Sequence, residues 1–235
     1  MKKSIRMGGV PIWKKNYETL ENYLEETACN ATLFDVSLHM NFSKARKSGI
    51  GYNMSTMFQN TLMEKNPTKA VIFVDHHDSQ PSQALELWVD DWFKPLAYGM
   101  ILLRENGLSC IFYGDYYGIA GENSIQGKQD IIDKLLSLRL NYANGKQNDY
   151  LDHPNCIGWT REGDEEHAAG LVILLINSDE GYKDMYIGKQ HTGKEYTDYL
   201  GNREEKVTIN EEGIGTFGCA PGSMSVWVES GIYSD

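Results

Sequence analysis

Apolar residues recur at helical spacing in four stretches of the chain. Residues 16–26 carry Leu20, Tyr23 and Leu24 on one face, with Asn16 placed to cap the first turn. Residues 53–63 put Met54, Met57, Phe58 and Leu62 on one side, a stripe that reads as core packing. Residues 92–104 predict an apolar helix with Pro95 in its first turn and Gly107 as its stop. Residues 131–140 predict the fourth helix, with Ile132, Leu135, Leu136 and Arg139 spaced for two faces. Short continuous apolar runs lie between these stretches. Ala70-Val71-Ile72-Phe73-Val74 predicts a strand buried on both faces, as in a parallel sheet, and Cys110-Ile111-Phe112-Tyr113 predicts a second. Strand–helix alternation of this kind marks a parallel α/β unit. After residue 143 the pattern changes. Strand-like runs at 156–161, 170–176, 185–188, 205–209 and 223–228 are separated by Gly, Asn and Asp. Turn signals at roughly ten-residue spacing predict an antiparallel β-sandwich. Asn144-Gly145 marks the boundary, giving an α/β part over 1–143 and an all-β part over 144–235.

Composition narrows the function classes. With 41 % hydrophobic and 23 % charged residues, the chain is not a charge-dominated disordered one. Its 235 residues suffice for one large domain or two modest ones. A net charge of −11 argues against a nucleic-acid partner, which calls for basic surface. No apolar run approaches the roughly 18 residues of a membrane span, so no membrane partner is expected. The start, Met1-Lys2-Lys3-Ser4-Ile5-Arg6, is basic but has no apolar stretch behind it, unlike a secretory signal. Cys29, Cys110, Cys156 and Cys219 are far apart and form no CxxC. They read as buried free thiols in a reducing compartment, which favours the cytoplasm.

The candidate chemistry stands at the end of the first apolar run. Asp75-His76-His77-Asp78 follows the strand directly, where parallel α/β proteins carry functional groups. Three readings are open: a capped turn, a metal site, or acid–base and electrostatic work on a bound substrate. Two adjacent histidines do not easily face one ion, which weighs against the metal. A carboxylate beside a histidine suits a sugar site, but glycoside hydrolysis normally requires two carboxyl groups in defined roles. Asp78 supplies one, and spacing identifies no second. His39, His153, His167 and His191 show no spacing for a shared ion. Trp88, Trp92 and Trp159 are possible sugar-stacking rings, although Trp92 reads as core and Trp159 as packed in the β part. Asp164-Glu165-Glu166 reads as a solvated loop.

Phe73-Val74-Asp75-His76-His77-Asp78-Ser79-Gln80-Pro81 resembles the F-V-D-N-H-D-(T/S)-Q-P motif after the seventh barrel strand of the α-amylase superfamily. Leu33-Phe34-Asp35-Val36, Trp92-Phe93-Lys94-Pro95-Leu96-Ala97-Tyr98 and Phe112-Tyr113-Gly114-Asp115-Tyr116-Tyr117-Gly118 are also similar to that family. So are Gly158-Trp159-Thr160-Arg161-Glu162-Gly163-Asp164 and Gly201-Asn202-Arg203. The likeness is to the bacterial liquefying and cytoplasmic type, over roughly residues 13–230. It implies the C-terminal part of a (β/α)8 TIM barrel, its last three βα units, followed by an antiparallel Greek-key β-sandwich. The first half of the barrel is expected to be missing.

The resemblance also implies roles. Asp78 is the carboxylate that stabilises the transition state, and His77 binds a substrate hydroxyl. His76 stands where the family has Asn, a titratable ring in the substrate site. Gln80 is a loop-orienting group near the substrate. The family's nucleophilic Asp has no counterpart. At its acid/base Glu, Pro11 falls where the carboxyl is needed, two residues before a matching Trp13. A calcium ion held by some relatives maps onto Tyr52, Asn155 and Asn177, with Pro154 replacing a His. Amides in place of carboxylates predict a degenerate site that holds no calcium tightly. The implied partner is an α-1,4-glucan: starch, glycogen or maltooligosaccharides. The expectation is a fragment of a retaining α-amylase-like glycoside hydrolase, inactive alone. Its alternatives are a non-catalytic glucan-binding or scaffold protein, or one half of a split enzyme completed by a missing N-terminal half-barrel. A half-barrel leaves apolar edges exposed, so self-association is expected.

Overall fold

The computed structural model describes residues 17–83, 86–122 and 124–231. Asn16, Pro11 and Trp13, singled out above, lie outside the described residues. The chain forms two compact units, each built from separate stretches.

The first unit draws on residues up to 46, 57–90 and 106–129. Its centre is a three-stranded parallel sheet in the order β1-β2-β3, formed by Leu33–Phe34, Ala70–Phe73 and Leu108–Cys110. Leu33 pairs with Ala70, and Phe73 with Cys110. Central strand β2 has Ala70, Ile72 and Phe73 buried, as its apolar run predicts. Helix α1 (Tyr17–Glu26) buries Leu20 and Leu24. Helix α2 (Val36–Ser48) starts at Asp35, a buried carboxylate. Asp35 Oδ1 accepts from Leu38 N at 3.1 Å, an N-cap bond, and its Oδ2 accepts from Met63 N at 2.7 Å. One carboxylate thus caps α2 and the short helix α3 (Leu62–Lys65) together. Burial raises its pKa, and the backbone N–H groups work against that rise.

Three expectations fail for local reasons. Residues 53–63 do not form one helix, although Met54, Met57, Phe58 and Leu62 are all buried. Asn60 is left-handed at φ 56°, and Thr61 accepts from Glu64 N to begin α3 afresh. The strand expected over 110–113 ends at Cys110. Phe112 is extended at the N-cap position, and Tyr113–Tyr117 turns into the short helix α5. Gly107 does not end a helix; it sits at φ 88°, where a Cβ would come within 2.7 Å of Ile72 Cδ1.

The second unit comprises residues 47–56, 91–105 and 130 onward. It contains helices α4 (Lys94–Leu102, with Pro95 in the first turn) and α6 (Gln129–Asn141, all but its first residue). Its strands are β4 (Gln147–Tyr150), β5 (Cys156–Arg161), β6 (Leu171–Ile176), β7 (Gly181–Tyr186), β8 (Glu195–Asp198), β9 (Val207–Thr208), β10 (Ile214–Cys219) and β11 (Met224–Glu229). They make a six-stranded antiparallel sheet, β4-β5-β6-β11-β8-β9, and a two-stranded ribbon, β10-β7. Strands β7, β9 and β11 depart from the predicted spans by up to four residues. All six residues of β6 are buried, unusual for an antiparallel strand. Both of its faces are covered. Val172, Leu174 and Ile176 join Met185, Phe217 and Trp227 in one core, while Ile173 faces the α4 backbone at Gly99.

Trp159 is fully buried, as expected. Its Nε1 donates to Leu103 O at 3.1 Å, and the Arg104 guanidinium lies 4.9 Å over the ring while gripping Asp149 with two 2.9 Å bonds. Trp92 is not core; it precedes the first turn of α4 and is 39 % exposed. The thiols divide likewise. Cys156 and Cys219 are buried, Cys110 is half-buried and Cys29 is exposed, and all four are free. Among the described residues no helix is long and apolar enough to cross a membrane.

Candidate functional site

The chain leaves β2 at Phe73 and turns immediately. Asp75 is buried and holds the turn: its Oδ1 accepts from Ser79 Oγ at 2.9 Å and its Oδ2 from Val89 N at 3.1 Å. Ser79 Oγ in turn accepts from His76 N at 3.1 Å. These bonds fix the backbone so that His76, His77 and Asp78 line one cavity of about 330 Å³ with Phe34, Phe73 and Tyr113. His77 is the most open, at 79 % side-chain exposure, and Asp78 is 43 % exposed. His77 Nε2 lies 3.5 Å from Asp78 Oδ1, and His76 Nδ1 lies 3.9 Å from Asp78 Oδ2.

His76 is held neutral. Asp78 N–H donates to its Nδ1 at 3.1 Å, so that nitrogen is an acceptor and the proton sits on Nε2. Its pKa is lowered, first by burial and then by neighbouring His77, with Asp78 opposing. Ligand atoms of His76, His77 and Asp78 lie within 4.8 Å of one another. An ion is nevertheless poorly served, because the Nδ1 lone pair is engaged and Nε2 is buried.

Below this turn lies a residue that spacing did not mark. His39, on α2, is fully buried and stacks on Phe73 with ring centroids 5.0 Å apart. Its Nδ1 donates to Val74 O at 2.7 Å, and its ring lies 6.2 Å from that of His76. Burial drives its pKa down to about 4, so it is a neutral pillar under the strand end. Its sequence signal was faint: a His four residues after a helix-capping Asp. Gln80 does not join the group. It borders a separate hollow with Ser82, Ile119 and Glu122. The cavity's described lining therefore presents one solvent-reached carboxylate, Asp78, beside two imidazoles, while Asp75 is committed to the turn.

Tyr52, Asn155 and Asn177, expected around a cation, do come together. Asn177 Nδ2 donates to Gly49 O at 2.8 Å and to Tyr52 O at 3.0 Å. Asn155 Nδ2 donates to Ile50 O at 2.8 Å and to Asn177 Oδ1 at 2.9 Å. The carbonyls that would face a cation face amide protons instead. This donor set does not fit calcium, which takes oxygen ligands alone.

Comparison with known proteins agrees with the second unit and extends beyond it. Residues 171–228 match the family model described as Alpha-amylase C-terminal. An α-amylase of Geobacillus stearothermophilus is 51 % identical over 217 residues, covering 92 % of this chain and 39 % of that protein. A glucan 1,4-alpha-maltohexaosidase of Bacillus sp. (strain 707) is 48 % identical over 218 residues, covering 92 % and 42 %. The chain thus spans about two fifths of the length of these relatives, and the match lies in their C-terminal portion. The crystal structure of an Anoxybacillus α-amylase shares the fold, with a TM-score of 0.65 at 16 % identity, over 95 % of this chain and 52 % of that one.

Proposed function

From a chain that is homologous to the C-terminal portion of the bacterial α-amylases, and so belongs to that superfamily, we propose a glucan-facing role for the cavity at the end of β2. The substrate class is α-1,4-glucan: starch, glycogen and their maltooligosaccharides. Asp78 is the carboxylate that faces positive charge developing at the anomeric carbon. His77, exposed beside it, donates to a sugar hydroxyl, and neutral His76 forms part of the same wall. Exposed Tyr113, at the cavity's edge, offers an apolar face to a pyranose ring. The observation that carries this reading is the single solvent-reached carboxylate flanked by two imidazoles at a parallel strand's C-terminal end.

The reading extends to architecture. The β1-β2-β3 sheet represents the last units of a (β/α)8 barrel within 1–143, and 144–235 the Greek-key sandwich that follows it. A retaining glycosidase needs a nucleophile and an acid/base in addition to Asp78. These 235 residues by themselves bind glucan without cleaving it. The four free thiols favour a reducing compartment, such as the cytoplasm.

Reducing-sugar release from soluble starch by the purified chain, beside Asp78→Asn, tests the proposal. No release above the variant is expected, while the unmodified chain is retarded more than the variant in a glycogen-containing native gel. Release abolished by Asp78→Asn would overturn the non-cleaving assignment. Equal retardation would overturn Asp78 as a glucan-facing group.

A second reading rests on β1 and β3. Among the described residues both are edge strands of a parallel sheet of short strands, which invites further strands to pair. In a split enzyme a separately encoded half-barrel would occupy these edges and supply both missing carboxylates. Without it, the chain would self-associate. Starch hydrolysis regained on mixing with such a half would decide for this reading.

A further inference from the structure

Strands β5 and β6 end side by side: Cys156 pairs with Ile176, and Asn177 N donates to Asn155 O at 3.2 Å one step further. The two asparagine side chains therefore project from adjacent strand ends toward the same turn, Gly49–Tyr52, in the same unit. All four of their amide protons are used. Two from Asn177 reach Gly49 O and Tyr52 O, and two from Asn155 reach Ile50 O and Asn177 Oδ1. Asn177 is 6 % exposed. Three carbonyls crowded on one turn would repel one another and would be costly to leave unpaired. A cation can satisfy them, and so can N–H donors.

We propose that Asn155 and Asn177 form a neutral lock that does the work of a bound cation, making this turn's attachment independent of calcium. The lock is a specific chemical exchange. Each amide stands where a carboxylate would give a hard cation a charged oxygen, and its NH2 group fills the space the ion would take. Two neutral side chains replace two negative charges and one doubly positive ion, so charge stays balanced. The exchange is also reversible by sequence. Asn155→Asp with Asn177→Asp removes the four donors and sets two carboxylates opposite three carbonyls. That array repels itself when empty and suits Ca²⁺, which accepts six to eight oxygens at roughly 2.3–2.6 Å.

Thermal melts of the full chain in CaCl2 and in EDTA, with calorimetric Ca²⁺ titration, test the proposal. The unmodified chain is expected to melt at one temperature in both and to show no saturable Ca²⁺ heat. The double Asp variant is expected to melt about 5 °C or more lower in EDTA and to recover in CaCl2. Mg²⁺, which demands a tighter octahedral shell, is expected to rescue it poorly. A double variant that folds only with Ca²⁺ supports the proposal equally. Asn155→Ala, which removes two of the donors and adds no charge, is expected to melt lower and stay indifferent to Ca²⁺. A Ca²⁺-dependent rise in the unmodified chain would overturn the neutral lock. A double variant with the same melting temperature in EDTA and Ca²⁺, or one unfolded in both, would overturn the exchange.

Discussion

The two sheets use apolar sequence to opposite ends. In the six-stranded sheet, β5, β6 and β11 each run six residues, and a core packs between that sheet and the β7–β10 ribbon. Its indoles are tied down: Trp227, in that core, and Trp159, against Leu103, both spend their N–H on backbone carbonyls. The parallel sheet has strands of two, four and three residues. Its ladder stops early, and the chain turns outward with its titratable groups. Long ladders satisfy the backbone and bury side chains. A short parallel strand covered by helices leaves the residue just past its end in a polar turn, free to face a ligand. The contrast teaches that stability and candidate chemistry are kept on different elements of this chain.

The most severe way to break this contrast is at the large core. Trp227→Ala removes a fully buried indole that contacts Phe217 at 5.8 Å and donates to Gly218 O at 3.0 Å. A loss of about 3–5 kcal/mol in urea unfolding is expected. A loss under about 1 kcal/mol would mean that this sheet is not where stability resides.

The next effect sharpens the contrast through pH. His39 has a folded pKa depressed to about 4, against about 6.5 when unfolded. The unfolded chain therefore binds the extra proton first. The contribution is fully present above about pH 6.5 and is lost as pH falls toward 4, on the order of 3 kcal/mol in all. Urea midpoints at pH 7.5 and pH 4.5 are expected to differ more in the unmodified chain than in His39→Asn. An equal drop in both would remove His39 as the pillar under the strand end.

The smallest effects separate two carboxylates three residues apart. Asp75→Ala strips acceptors from Ser79 Oγ and Val89 N, and a loss of about 2 kcal/mol is expected. Asp78→Asn, at a 43 % exposed side chain, is expected to change stability by no more than about 0.5 kcal/mol while weakening glycogen retardation. Denaturation and affinity gels on both variants check this. A destabilised Asp78→Asn would make Asp78 a turn residue like Asp75.

Much of the fold was legible where neighbours in sequence decide it. Strand β2, helix α4, helix α6 and strands β5, β6 and β11 stand within a few residues of their predicted spans because periodicity and β-branching are local properties. Helix α2 left no such trace. It buries Ser37, His39 and Ser43 with Val36, Leu38 and Phe42, so no polar face marks its period. Strands β4, β8 and β10 were likewise missed; β10 carries two glycines in six residues, a weak strand signal. The 53–63 stripe carried the burial correctly but not the backbone, since Asn60 and Thr61 break the helix through their own preferences.

Within the candidate site, the run Asp75 to Asp78 could be placed by sequence at the end of a buried strand, because that needs only an apolar run followed by polar residues. Tertiary structure decided what each residue there does. It set Asp75 inward on Ser79 and Val89, engaged the His76 lone pair with the Asp78 N–H, and turned Gln80 to another hollow. It also set His39 beneath Val74, 35 residues away, and Asn177 against Gly49, 128 residues away. Hydrogen bonds between such distant positions impose no period on the chain. Whether a carbonyl meets an ion or an amide proton is settled only when the strands deliver both to one place.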